Sequence, residues 1–385
     1  MSTQNFTAGV MSALMACTGG AILIMNTAEL IHLSQAELIS WLFMVYFVGG
    51  CMNLFLSLRY KIPFAGAHSI TAVAFLSTAA VHFSLQELAG SFMMAGGLIA
   101  LLGFLGIFGK ILKIVPVPLI DAMLAGLILS YVVEIVPAFQ QSPLIAGMAI
   151  AGFLLASKFS KSLPPLLGVL VFGIIGLIFT YDFPVVASVP FSWPQMVVPS
   201  FSLSSFFSIS IPVALLIMSN DLAVALAALK NNGYEAPVNK TIGLSGLGTS
   251  LVSLFGGHAV NVGGMMTALC SSDEAGHKDT RYKAAIVSSI LVLLFGFFAW
   301  KVVVIIQLLP MFFITLVVGF SLLSVLSKSL QSAFAESSYR FSVLFTFIIA
   351  IANISFLGIS SPVWSLLIGG IVMRVFREGA ARKQH

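Results

Sequence analysis

Ile62-Pro63-Phe64-Ala65-Gly66-Ala67-His68-Ser69-Ile70-Thr71 interrupts an apolar run, and how it is read decides the fold. Pro63 and Gly66 discourage helix at its start. A helix from about His68 to Ala80 is ~20 Å long, short of the ~30 Å hydrocarbon core of a bilayer. The stretch therefore predicts an extended segment followed by a half-helix. A second run, Gly256-Gly257-His258-Ala259-Val260-Asn261-Val262-Gly263-Gly264-Met265, brackets a short β-prone piece with two Gly pairs. A short helix to about Ser271 should follow it. Paired interruptions of this kind point to a transporter binding site. Each half-helix would aim an N-terminus, with its partial positive charge, at the middle of the membrane.

The rest of the chain supplies the membrane. Of 385 residues, 59% are hydrophobic and only 8% charged, and the mean hydropathy is +1.08. A soluble protein carries about 25% charged residues. Lipid admits only helices or closed barrels as spanning structures. Long apolar runs such as Leu98–Phe108 and Ile286–Phe298 are helical in character, so the fold class is all-α integral membrane. The net charge of +5 comes from Lys and Arg in short loops, which fits membrane topology and excludes nucleic acid as a partner. Cys17, Cys51 and Cys270 lie in apolar segments without metal-like spacing and read as small hydrophobes. No His-Glu-x-x-His and no Ser/His/Asp set occurs, so neither an enzyme nor a cofactor is expected. The polar start Ser2–Asn5 lacks the positive region of a signal peptide, and the first apolar segment is read as a retained anchor.

Apolar segments fall at 7–26, 37–57, 62–81, 87–108, 116–137, 143–157, 163–180, 205–228, 240–256, 257–272, 282–303, 308–327, 340–356 and 358–375. With both termini cytoplasmic, Arg59, Lys61, Lys110, Lys113, Lys158, Lys161, Lys230, Lys240, Lys278, Arg281, Lys283, Lys328, Arg340, Arg374, Arg377, Arg382 and Lys383 all fall inside, and Lys301 alone falls outside. The loop Tyr181–Ser204 has no Lys or Arg and faces out. That alternation fits fourteen crossings. Fourteen divides into two sevens, and an odd repeat returns inverted. The domains expected are a first repeat at 1–180, an external linker at 181–204 and a second repeat at 205–385.

The two interruptions are then the third and tenth segments, equivalent in the two repeats. His68 and His258 sit beside them, and Asp221 lies in the later half of the eighth segment. An ionisable group at membrane depth is a functional hypothesis by default. Substrate binding is assigned to His68, Ser69, Asn220, Asp221, His258 and Asn261, and proton coupling to Asp221, His258 and His68. Asp121 and Glu134 are read as interfacial groups near the ends of the fifth segment, with gate contacts as the alternative. His32, His82 and His277 are read as loop residues.

Ile211-Pro212-Val213-Ala214-Leu215-Leu216-Ile217-Met218-Ser219-Asn220-Asp221, Asn232-Gly233-Tyr234-Glu235-Ala236-Pro237-Val238, Phe255-Gly256-Gly257-His258-Ala259-Val260-Asn261 and Asp273-Glu274-Ala275 resemble the benzoate/proton symporter family. Pro116-Val117-Pro118-Leu119-Ile120-Asp121-Ala122-Met123-Leu124-Ala125-Gly126 is a further match. The resemblance implies a fold similar to uracil and sulfate-type permeases, with two inverted seven-segment repeats. Segments 1–4 and 8–11 would form a core domain, segments 5–7 and 12–14 a gate domain, with substrate between the third and tenth segments. The chain has His68-Ser69 where the family pattern has Trp-Ser, and His258 and Val260 where it has two Phe. It has Asn220-Asp221 where the pattern has Gln-Asn. These changes exchange an aromatic pocket for a polar, titratable one. The expected function is proton-coupled symport of a small organic, aromatic or carboxylate substrate across a bacterial inner membrane, in the manner of an elevator. The alternative is an uncoupled anion or nucleobase-type permease or exchanger on the same fold. The partners expected are the substrate, protons, the lipid bilayer and, in assembly, a homodimer.

Overall fold

The computed structural model describes residues 1–108, 116–159, 165–184, 190–353, 356 and 361–379. Lys110, Lys113, Lys161, Arg382, Lys383 and part of the linker 181–204 lie outside the described residues. Among the described residues seven helices are long and apolar enough to cross a membrane, and five shorter apolar helices accompany them.

In chain order the helices are α1 Thr3–Leu30, α2 Gln35–Tyr60, α3 Ile70–Ala79, α4 Leu85–Phe104, α5 Val117–Val133, α6 Pro143–Phe159 and α7 Pro165–Thr180. They continue as α8 Leu203–Asn231, α9 Val238–Ser253, α10 Gly264–Ser271, α11 Tyr282–Phe297, α12 Met311–Ala335, α13 Arg340–Ala352 and α14 Ser361–Val375. Local chemistry sets several starts. Ser2, Ser34 and Ser84 cap α1, α2 and α4, and each forms a reciprocal capping box with the residue three positions on. At the other end of α2, Lys61 takes a left-handed conformation and Pro63 prevents the helix from continuing.

Three boundaries differ most from the sequence reading. The fifth segment is split, with α5 ending at Val133 and a short helix Ile135–Gln141 after it. The eleventh segment ends at Phe297, and a separate helix, Ala299–Gln307, follows it. α12 runs to Ala335 rather than ending near 327, so Lys328 is a helix residue and not a loop residue. Ser327 to Ser332 are compatible with helix, and their polarity faces a cavity rather than ending the span.

The interrupted segments cross each other. Asn261 N–H donates to the Ala67 carbonyl (3.0 Å) and Gly263 N–H to the Ala65 carbonyl (2.9 Å), an antiparallel pairing of two extended strings. Non-helical backbone at membrane depth must find its partners inside the protein. Here Asn53 Nδ2 donates to the Asn261 carbonyl (3.0 Å). Thr267 Oγ1 donates to the Ala65 carbonyl (2.8 Å) and accepts from Ala65 N–H (3.2 Å). Thr249 Oγ1 accepts from Val260 N–H (3.0 Å), and Ser57 Oγ donates to the Phe64 carbonyl (2.9 Å). The strings approach so closely at Gly66 that a Cβ there would lie 2.3 Å from Gly263 N.

Around this crossing α2 packs on α11, α4 on α9, α1 on α11 and α4 on α8. On the other flank α5 packs on α12 and α13, α6 on α7 and α13 on α14. The linker after α7 lies against the first group: Val197 N–H donates to the Leu254 carbonyl (2.7 Å) and Ser200 N–H to the Gln86 carbonyl (2.8 Å).

Candidate substrate site

Asn220 and Asp221 sit in a widened turn. Residues Ile217–Leu222 of α8 form a π-turn, which inserts one residue into the helical spacing. Such turns recur at functional sites, because they rotate side chains out of helical register. Asp221 is buried, and its carboxylate accepts a 2.5 Å hydrogen bond from Ser69 Oγ. The same Ser69 oxygen accepts from Ala72 N–H (3.1 Å), which makes Ser69 the N-cap of α3. One hydroxyl thus ties the start of one half-helix to the carboxylate of α8.

The two histidines behave differently. Trp41 Nε1–H donates to His258 Nδ1 (2.9 Å), and His258 Nε2 meets the Ser69 carbonyl at 3.1 Å. An indole only donates and a carbonyl only accepts, so the ring carries its proton on Nε2 and is neutral. A proton on Nδ1 would face the indole N–H. His258 is fully buried and does not border the cavity; it holds Ser69 in place. His68 Nε2 lies 2.9 Å from the Tyr46 hydroxyl. That hydroxyl gives its proton to the Ala16 carbonyl (3.0 Å), so His68 Nε2 is the donor. His68 Nδ1 is left buried with no partner. The rings stand 5.1 Å apart, edge to face.

A cavity of ≈190 Å³ opens beside this group, walled by α3, α5, α8, α10 and α12. Of the six residues assigned to the substrate, His68, Asn220 and Asp221 border it. Ser69 stands behind Asp221, His258 behind Ser69, and Asn261 is buried in the crossing strings with its side chain beside the Asp221 carboxylate. All six gather at the crossing. Hydrocarbon, including Ile70, Leu124, Val224 and Met265, makes up much of the wall.

The sequence reading missed the opposite wall. Asp121, read from the sequence as interfacial with a gate contact as the alternative, is buried in the cavity lining and accepts a hydrogen bond from Ser332. It lies a turn inside α5, as the sequence reading had it, and its side chain faces Ser332 of α12. Ser324, Lys328 and Ser332 share one face of α12 at helical spacing and border the same space. That spacing was the available signal, hidden by ending the segment at 327. Lys328 takes part in neither ion pair among the described residues, His277–Asp279 and Arg281–Asp273.

Crossed half-helices that enclose a cavity between two helical groups define a membrane transporter. The chain matches the family model BenE, benzoate membrane transport protein, over residues 1–375, and it belongs to that family. It is 28% identical over 364 residues to the benzoate membrane transport protein of Acinetobacter baylyi, covering 94% of this chain and 92% of that one. It is 29% identical over 383 residues to the inner membrane protein YdcO of Escherichia coli, covering 98% and 97%. Among solved structures it shares its fold with the transmembrane domain of the cyanobacterial bicarbonate transporter BicA, with TM-score 0.59, 16% identity and 96% of both chains covered. It also resembles SLC26A9, with TM-score 0.65, 13% identity, 96% of this chain and 65% of that one.

Proposed function

We propose that the protein is a proton-coupled symporter of a small organic carboxylate, benzoate-like, in a bacterial inner membrane. The observation that carries this reading is the buried Asp221 carboxylate, bound by the capping serine of α3 and bordering the cavity. A carboxylate there repels an anionic substrate at low dielectric, and a proton on it removes the repulsion. Substrate and proton then favour each other reciprocally. Asp221 is the first coupling group and His68, with its unpartnered Nδ1, the second. His258 acts by positioning Ser69. The substrate carboxylate faces the N-terminus of α10, where Gly264 and Met265 border the cavity.

The chain would cross the membrane fourteen times with both termini inside, as two inverted halves joined at 181–204. The helix packing supports this. Adding seven to each helix number turns α4–α9 into α11–α2, α1–α11 into α8–α4, α6–α7 into α13–α14, and α5–α12 into itself. The group α1–α4 with α8–α11 would move as a core against a gate of α5–α7 and α12–α14. One observation favours an uncoupled anion permease or exchanger instead: Lys328 offers the cavity a positive charge without any proton uptake. Uptake of labelled benzoate into proteoliposomes, with and without an imposed pH gradient, separates the two. Accumulation only with the inside alkaline supports symport; equal uptake in both favours the uncoupled reading.

A further inference from the structure

The space beside Asp221 has a neighbour. A second cavity of ≈210 Å³ lies across Ile70, Met265 and Met266, which border both, as do Ser324 and Val325. Its remaining wall is mostly hydrocarbon, from Met15 of α1, Phe153 of α6, Leu166 of α7 and Phe320 of α12. Phe153 and Phe320 pack ring to ring at 5.0 Å. A third, more open space at Phe153, Ser324, Lys328 and Gln331 adjoins both, so Ser324 borders all three. The vestibule is therefore forked, with one polar arm at Asp221 and one apolar arm at Phe153 and Leu166. Met265, exposed and unbranched, stands between the arms, and a methionine there can swing aside.

We propose that the apolar arm is a second binding compartment, taking the hydrocarbon body of a carboxylate whose head group lies in the polar arm. This rests on the reading of the protein as a carboxylate transporter. The occupant follows from adjacency: the two arms share a wall of five residues, and one molecule can reach both once the unbranched Met265 side chain in that wall turns aside. The protein then selects amphipathic carboxylates, with Leu166, Phe153 and Phe320 setting the length of the apolar body.

The test is inhibition of labelled benzoate uptake in proteoliposomes by phenylacetate, 3-phenylpropionate and 4-phenylbutyrate. Each added methylene should tighten inhibition about fourfold until the arm is full. Leu166→Trp should stop the gain at a shorter acid and cut the long-to-short preference about tenfold. Leu166→Ala should shift the preference toward the longer acids, and it carries the test if the tryptophan variant does not fold. A parent that transports benzoate but shows the same preference in every variant overturns the inference alone. A parent in which no carboxylate is transported or shifts the melting temperature overturns the carboxylate reading, and this inference with it.

Discussion

α3 and α10 both start beside the crossing, yet their starts are finished in opposite ways. α3 begins at a serine whose hydroxyl caps the helix and also holds Asp221. α10 begins at Gly263, which has no side chain to cap it. The first N-terminus is spent inside the protein, on its own serine and on α8. The second keeps its first-turn N–H groups free of any side-chain cap and borders the cavity. In the proposed function, the first end holds the carboxylate that takes the proton and the second end receives the anion.

The largest break in this comparison removes the crossing itself. Gly66→Val puts a branched side chain where even a Cβ would meet Gly263 N at 2.3 Å. Backbone cannot yield as a flexible side chain does, so the cost should lie at the upper end of about 1–3 kcal/mol. Thermal unfolding of the purified variant should show a large fall in melting temperature. A parent-like melting temperature would mean that the two strings are not locked together.

Next is the end that holds the carboxylate. Asp221→Asn keeps a group that accepts from Ser69 but removes the titrating site. A pH step of one unit is worth about 1.4 kcal/mol per coupled proton, or up to about tenfold accumulation. The variant should exchange labelled for unlabelled substrate and accumulate none. His258→Gln should behave in the opposite way, because its amide can accept from Trp41 and donate to the Ser69 carbonyl. Normal accumulation by Asp221→Asn would exclude Asp221 as the sole coupling group.

The open end can be closed. Gly263→Ser gives α10 the kind of cap α3 has; its new Cβ would press on the flexible end of Met266 and just touch the Gly66 Cα at 3.4 Å. A cap is worth about 0.5–2 kcal/mol. Competition for the same N–H groups should weaken substrate binding by roughly twofold to thirtyfold, read by calorimetry. Ser69→Ala should destabilise the protein by about 1 kcal/mol and change the pH profile of uptake, effects that a change at α10 should not reproduce. Unchanged affinity in Gly263→Ser would remove α10 from the anion site.

The two breaks were legible in the sequence, but the asymmetry between them was not, for physical reasons. Pro63, Gly66 and the two Gly pairs betrayed both breaks, because helix-breaking residues inside apolar runs are costly unless used. The pairing of Ala65 and Ala67 with Gly263 and Asn261 could not be read, because hydrogen bonds between backbones leave no mark on side-chain identity. His68 and His258 looked alike. Their different roles come from Tyr46 and Trp41, whose positions depend on how α2 packs. The π-turn at Asn220 and Asp221 is likewise a property of packing rather than of composition. Lys328 was misplaced because charge was taken to mark the end of a span, and Asp121 was set near a helix end without a sign that it borders a cavity.

The smallest effect concerns a third kind of helix start, capped from another part of the chain. Glu378, beyond the end of α14, accepts from the backbone N–H groups of Phe341 (2.8 Å) and Ser342 (2.9 Å) and from Ser342 Oγ (2.5 Å), at the first turn of α13. Partial burial acts to raise the pKa of this carboxyl, but the three hydrogen bonds outweigh it and hold it below the usual glutamate value. A carboxyl lowered in the folded state stabilises the fold above its unfolded value, about 4.3, and that contribution is lost as pH falls through the lower folded value. Glu378→Gln should therefore reduce the melting temperature slightly at neutral pH, by well under 1 kcal/mol in stability, since the group is largely in solvent. Parent and variant should converge as pH drops below about 4, a convergence that α3 and α10, which have no such carboxylate cap, should not share. A difference that persists unchanged at low pH would show that the glutamine acts through packing, not through charge on the α13 terminus.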